Sequence, residues 1–414
     1  MRRTALIRSL ALVACLLLAD APACLADDQA VPPQTGDLWS RTELTGDWGG
    51  TRDRLDKAGV DFGVDWVAQG FDNFRGGIRD GTTAASTLDV NLTLDMGKIE
   101  GWTGGTFYAD LEDHAGTDPS AELVGDAEKF TKFNYSKFLQ VAEIWYQQVL
   151  WAGKVRIKAG KVDANSEYSV IDNGLLFLNS STQVSPTVLT FPTFPDPMPS
   201  ADLFLTPADW YYASFGAFYA NRSDRFLDFV GSPQAAQFAS GGTFLIGETG
   251  FKWQRISDWR ADGNLRLGAW GDTGTFPRLD SGSARGTDGY YAISNQTLWR
   301  PTPKSDEARG IRVFLEFAVT PGDVSLIDRH WGGGVAWTGP IADRPDDVLG
   351  ISPQVVRLSG NARLPEGQER DLEVFYRYQF AGWGSLQPDV QFLSHPGGAY
   401  RNAVVGTLQL EFHL

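Results

Sequence analysis

The sequence predicts an all-β protein, a transmembrane antiparallel β-barrel of about sixteen strands with a short N-terminal helix on its inner rim and a constriction loop folded inward. Three observations carry this expectation. Segment after segment alternates apolar and polar residues with period two. No apolar run beyond the leader is long enough for a spanning helix. The connections between segments differ in length by parity, long then short, through the first half of the chain.

The stretch "TLDVNLTLDM", Thr87–Met96, sets the pattern. Leu88, Val90, Leu92, Leu94 and Met96 share one face; Asp89, Asn91, Thr93 and Asp95 share the other. One face wants oil and the other water, and the oil is either the core of a soluble sandwich or lipid.

The chain opens "MRRTALIRSLALVACLLLADAPACLADD". A positive start (Arg2, Arg3, Arg8), an apolar run to Ala19 and small residues at Cys24-Leu25-Ala26 form the layout of a secretory signal peptide over 1–26. An N-terminal segment, 27–59, and a barrel over 60–414 follow. Both cysteines, Cys15 and Cys24, fall in the leader, so the mature chain excludes a disulfide scaffold and thiol catalysis. A chain without a spanning helix enters a membrane only as a closed barrel, which alone satisfies every backbone group in lipid. The leader carries a net charge of +2, so its removal takes the chain from −15 to −17. That balance argues against nucleic acid as partner. The 14 Trp suit interfacial belts and sugar stacking; the 46 Gly suit turns and close backbone approach.

In chain order, "LTGDWGGTRDRLDKAGV" reads as a short surface helix, with Asp47 as N-cap and Gly59 as C-terminal glycine. Only Trp48, Leu55 and Ala58 offer burial. "VDFGVDWVA" then sets Val60, Phe62, Val64, Trp66 and Ala68 against Asp61 and Asp65. "TFYADLED" sets Phe107, Ala109 and Leu111 against Tyr108, Asp110 and Glu112; "KVRIKAG" sets Val155, Ile157 and Ala159 against Lys154, Arg156 and Lys158. "GIRVFLEFAV" places Arg312 and Glu316 on its polar side, and "DLEVFYRYQF" places Glu373, Arg377 and Gln379 on its own. Weaker strand signals cover Phe138–Leu150, Ala201–Thr206, Trp210–Ala220, Gly242–Trp253, Asn264–Trp270 and Gly289–Trp299. They continue through His330–Trp337, Val348–Leu358, Leu386–Ser394 and Ala403–Leu414. Long connections are expected at Phe71–Ala85, Asp113–Lys137, Asp163–Ser200 and Asn221–Gly241, with short turns "GKIEGWTG", "WAGK" and "TPADW" between them. Loops long on one side and turns short on the other are the asymmetry of a membrane barrel. The closing "VVGTLQLEFHL" is apolar on one face and expects a neighbour on both sides, which closure against the first strand supplies.

With these segments in view, the chain resembles the OprB-type carbohydrate-selective porins. The likeness opens at "LTGDWGGTRDRLDKAGVDFGVDW" and continues through "EIWYQQ", "AGKVDANSEYSVIDNGLLFLNSS", "GGTFLIGETGF", "GPIADRPDDVLGI" and "LQPDVQFLSHPGG". The resemblance implies a sixteen-stranded barrel in the outer membrane of a Gram-negative bacterium. Such a barrel admits small sugars, mono- or disaccharides, by passive diffusion, with outer-membrane lipid around it and either a monomer or a homotrimer as its assembly.

The connection Asp163–Ser200 is the expected constriction. It is apolar ("GLLFLNSS", "VLTFPTFP") and stiffened by Pro186, Pro192, Pro195, Pro197 and Pro199, so it folds into the lumen or caps the outer end. A sugar filter needs strong hydrogen-bonding groups for hydroxyls and aromatic faces for the apolar side of a pyranose. Alternation nominates Glu143, Trp145, Arg156, Lys158, Arg266, Trp270, Arg312, Glu316, Glu373 and Arg377, with Asp163 and Glu167 where the wall meets the loop. Each charged residue also fits a wall ladder of paired charges. Trp66, Tyr376, Tyr378 and Phe412 are expected to face lipid.

Enzyme signatures are poor. His114, His330, His395 and His413 are scattered, and neither a nucleophile elbow nor a phosphate loop occurs. "RHWGGG" reads as a strand where backbones approach closely. No metal, cofactor or catalytic residue is expected. The competing reading is a soluble periplasmic all-β protein that binds carbohydrate or acts on glycosides.

Overall fold

The computed structural model describes residues 37–219, 241–254, 262–301 and 308–414. Residues 1–36, the expected leader among them, and all but the last residue of the Asn221–Gly241 connection lie outside the described residues. Sixteen antiparallel strands follow one another around a closed barrel. They are β1 (Val60–Gly77), β2 (Gly81–Asp95), β3 (Gly105–Gly116), β4 (Phe138–Leu150), β5 (Val155–Val162) and β6 (Met198–Ala208). Next come β7 (Tyr211–Tyr219), β8 (Thr243–Trp253), β9 (Gly263–Pro277), β10 (Ser283–Trp299) and β11 (Gly310–Val319). The last are β12 (Ile327–Thr338), β13 (Val348–Leu358), β14 (Gln368–Ala381), β15 (Gly384–Ser394) and β16 (Arg401–His413). The seam pairs β1 with β16, Gln69 opposite Gln409 and Trp66 opposite Phe412. The two glutamines bond inside at 2.6 Å and the two rings stack outside at 5.8 Å, so closure is secured on both faces. With no free edge, every strand has a partner on either side.

The alternation resolves as lipid rather than sandwich core. Outward residues such as Leu315 and Leu408 are 65% and 51% exposed, whereas inward Gln391 and Glu373 are fully buried. Apolar outside and polar inside inverts a soluble protein, which removes the soluble reading. No helix among the described residues is long and apolar enough to cross a membrane.

Three expectations are corrected. Phe71–Ala85 is not a long connection: β1 and β2 run on as a hairpin to Asn73↔Gly81 and beyond, joined by 78–80. Its Gly-rich polar sequence hid a continuing alternation, with Phe71 and Asn73 buried inside and Phe74 exposed outside. With that turn set aside, the expected loop asymmetry is found in the first half and not carried on beyond it. Beyond β8, connections 254–262, 300–309 and 339–347 at the end carrying both termini exceed 278–282 and 320–326 at the far end. The helix (Thr51–Lys57) is capped by Gly50 in the left-handed region, not by Asp47. Asp47 instead accepts a hydrogen bond from the Asp53 N–H at 3.1 Å, doing part of a cap's work from one turn back. Finally, loop 163–197 is not the only inward one; 117–137 folds in beside it.

One wall feature lay hidden in the polar faces. Five lumen-facing rings stand opposite a glycine on the next strand: Tyr212 on Gly250, Tyr291 on Gly268, Trp270 on Gly289, Phe314 on Gly334 and Phe375 on Gly350. A Cβ on any of these glycines would fall within 2.7 Å of the ring. The missing side chains let the rings lie against the wall, and the result is an apolar shelf along β7–β14. The "RHWGGG" glycines belong to it, Gly334 under Phe314 and Gly332 under Gln354.

Candidate functional site

Loop 163–197 lies on that shelf. Its Tyr168, Ile171, Phe177, Val188 and Phe191 pack with Phe204, Phe244, Trp270, Phe314 and Phe375 in one buried cluster. Polar contacts then pin it around the wall. The Ser169 N–H donates to Glu248, Asn173 N–H to Asn295, Thr190 Oγ1 to Asp272, and the Leu178 and Asn179 N–H groups to Glu373 at 2.5 and 3.1 Å. Asn179 also donates to Asp371, and Arg266 holds Asp172 through 2.9 Å bonds. Carboxylates receiving backbone N–H groups make strong, directional anchors.

Loop 117–137 docks beside it, over β1, β14 and β15. Glu369 accepts the Ala127 and Glu128 N–H groups at 2.8 and 2.7 Å, Gln391 donates to the Phe130 carbonyl, and Thr131 Oγ1 donates to Gln69. The loops touch where the Ser180 N–H meets the Lys129 carbonyl. Burial pushes the carboxyls of Asp126 and Glu128 up, Glu128 further because Glu369 and Asp371 face it.

A cavity of about 310 Å³ stays open between both loops and the β1–β3 wall. Asp89, Glu112, Lys132, Asp163, Asn165 and Gln183 line it with Phe133, Tyr135 and Phe194. A second cavity of about 470 Å³ lies between the loops and shares Tyr135, Val184, Thr193 and Phe194 with the first. The eyelet is therefore reached through an outer compartment. Its volume falls at the lower end of small-molecule sites, roughly 300–1000 Å³.

The twelve predicted residues divide by position. Glu143, Trp145, Arg156, Lys158, Asp163 and Glu167 come together beside the eyelet. Trp145 stacks on Tyr108 at 4.9 Å, with the Lys158 ammonium 3.9 Å from its ring. Glu143 accepts from Trp145 Nε1 and from the Asp163 N–H. Glu167 takes a two-pronged grip from Arg156 at 2.8 and 2.6 Å and pairs with Lys158. Burial alone would raise its pKa; the Arg156 bonds and the Lys158 charge outweigh it and hold the carboxyl below the usual range. Burial holds Asp163 up, although the Asn165 and Phe194 N–H groups donate to it. Arg377 sits on β14 and bonds Glu411 at 2.7 Å. The others stand elsewhere. Glu373 and Arg266 anchor the loop, Trp270 is buried against Phe244, Glu316 is buried near His330, and Arg312 reaches Thr338. The charges thus pair mostly with the loop rather than along the wall.

Sequence reasoning passed over Asp89, Asp110, Glu112 and Lys132. The first three lay on polar faces already identified by alternation, but Lys132 belongs to a loop whose inward fold has no periodic signature.

A closed sixteen-stranded barrel, apolar outside and narrowed by inward loops to a charged eyelet, is a porin, a channel for diffusion across an outer membrane. The chain belongs to the family described as carbohydrate-selective porin, OprB family, which residues 79–414 match. It is similar to Porin B of Pseudomonas aeruginosa, 21% identical over 419 positions spanning 89% of this chain and 90% of that one. A putative porin QuiX of Acinetobacter baylyi is 23% identical over 87% of this chain and 91% of its own. Among solved structures, the high-pH form of Pseudomonas putida OprB superposes with a TM-score of 0.81 at 19% identity, covering 92% of this chain and all of that one. The chain is accordingly an outer-membrane sugar porin of a Gram-negative bacterium.

Proposed function

We propose that mono- and disaccharides cross by passive diffusion through the eyelet, and that its polar and aromatic groups, not its width alone, favour them over other small solutes. The observation that carries this is the 310 Å³ cavity, where carboxylates, an ammonium and amides face aromatic rings across a sugar-sized gap. Hydroxyls exchange water for charge-assisted bonds while a ring covers the apolar face, so binding is strong enough to enter and weak enough to leave. In this reading Asp163, Glu143 and Trp145 touch solute; Arg156, Lys158 and Glu167 fix the wall beside it; Arg377 lines the path. Arg266, Trp270, Arg312, Glu316 and Glu373 act through the loop they support or the wall they build. Passage needs no chemical step.

Both sides of the eyelet come from one chain, so it works alike in a monomer or a homotrimer. The outward apolar band contacts lipid, and the end holding both termini faces the periplasm, because the largest loops belong outside. Liposomes carrying the protein should swell faster in glucose or sucrose than in amino acids of similar size. Equal rates would reduce it to an unselective pore.

A further inference from the structure

The β1–β4 side of the eyelet sets like charges directly opposite one another. Asp65 faces Asp89, Asp89 faces Glu112, and Asp110 faces Glu143 across the ladder. Carboxylate oxygens of Asp89, Asp110 and Glu112 lie within 4.8 Å of one another. Each such cross-strand pair costs stability, and Asp89 and Glu112 of the row line the cavity itself. One oxygen each of Asp89 and Asp110 is shut off from solvent and takes no hydrogen bond among the described residues.

The cations nearby are mostly engaged. Lys158 pairs with Glu167, Arg377 with Glu411, and Lys161 donates to the Val141 carbonyl at 2.6 Å. Lys132 lines the cavity and has no ion pair within 4 Å among the described residues, although Asp89, Glu112 and Glu411 act on its charge. One unpaired ammonium thus stands against a row of carboxylates in a narrow, low-dielectric passage, where a one-signed field is focused.

We propose that this row makes the channel read solute charge: neutral and amine-bearing sugars pass, and sugar acids and sugar phosphates are repelled. The proposal rests on the sugar-porin reading and adds to it the class of sugar. A hydroxyl can donate to the carboxylates that line the cavity, Asp89 and Glu112, a protonated amine does so with its charge, and an anionic substituent meets repulsion without a donor.

The test uses the purified mature porin in planar bilayers under a KCl gradient. The zero-current potential should report K⁺ favoured over Cl⁻ by roughly tenfold, the lower end of what a one-signed cleft does to local counter-ions. The pair Asp89→Asn and Asp110→Asn should bring that ratio toward one, and Lys132→Gln should raise it. Both changes nearly preserve shape or lie in a loop, and the gel shift on boiling confirms a closed barrel. In liposome swelling, glucosamine should match or exceed glucose, and glucuronate should lag several-fold. A Cl⁻-preferring channel, or a ratio indifferent to both sets of variants, would overturn the proposal. Glucose swelling no faster than that of an amino acid of equal size would instead defeat the sugar reading, leaving the ion ratio as measured.

Discussion

Glu167 shows how one side chain can fix a passage. Its carboxylate is clamped by Arg156 and Lys158, and Lys158 is only 5% exposed at its side chain. Glu167→Gln would leave that ammonium buried without its anion, and breaking a buried pair costs about 3–5 kcal/mol. The variant should unfold at a clearly lower urea concentration, followed by tryptophan fluorescence; an unchanged midpoint would mean the pair is spectator. The pH dependence has a definite sign. A carboxyl held below its usual range stabilises the fold at pH above its unfolded value and loses that contribution as pH falls through its depressed folded value. The wild-type midpoint should therefore drop on acidification below about pH 4, the ordinary glutamate range. Glu167→Gln should lack that component.

At the scale of elements, the two inward loops dock by opposite electrostatics. Loop 163–197 is seated by the Glu167 clamp, which needs an ionised carboxyl. Loop 117–137 brings Asp126 and Glu128 into a wall already holding Glu369 and Asp371, and burial holds both loop carboxyls up in the folded state. A raised carboxyl binds its proton more tightly when docked, so docking is strongest at low pH and weakens as pH rises past the unfolded value. Limited proteolysis should cut within 117–137 more readily at neutral than at acidic pH, with Glu128→Gln flattening the dependence. Cutting that is independent of pH in both proteins would refute the account. The same contrast explains what the sequence could disclose. Period two marks strands whatever their order, so the wall was legible, and the apolar, proline-rich 163–197 betrayed itself because such a loop cannot stay in water. Loop 117–137 scatters its apolar residues among charged and polar ones. The partners that draw it inward, Phe71, Leu393 and Val405 for Leu123, Val124, Phe130 and Phe133, and Glu369 and Gln391 for its backbone, are brought to it only by the closed barrel. The β1–β2 hairpin was misread because glycines and charges there resemble a loop while Phe71 and Asn73 keep the strand's alternation.

At the scale of the whole molecule, the barrel's two ends differ in chemistry. Connections at the end of the termini carry Trp102, Trp151, Trp210 and Trp383, and Trp39 stacks on Trp383 at 5.8 Å. Connections at the far end carry no tryptophan among the described residues. Trp102, Trp151 and Trp210 are each at least 60% exposed, which in water would be a cost without a return. An indole has an apolar body and one N–H, and it is most at ease at the headgroup level, where both are satisfied. The belt therefore sets how deep the barrel sits, and it anchors the periplasmic leaflet more firmly than the outer one. In vesicles of phospholipid brominated near the headgroup, tryptophan fluorescence should be quenched more than in vesicles brominated near the chain ends. Replacing Trp102, Trp151 and Trp210 together by Phe should remove much of that difference while leaving the lumen-facing Trp145 and Trp270 emission in place. Stronger quenching from the chain ends would mean that these rings lie deep in hydrocarbon, and the membrane would then have to be placed lower on the barrel than the strand ends imply.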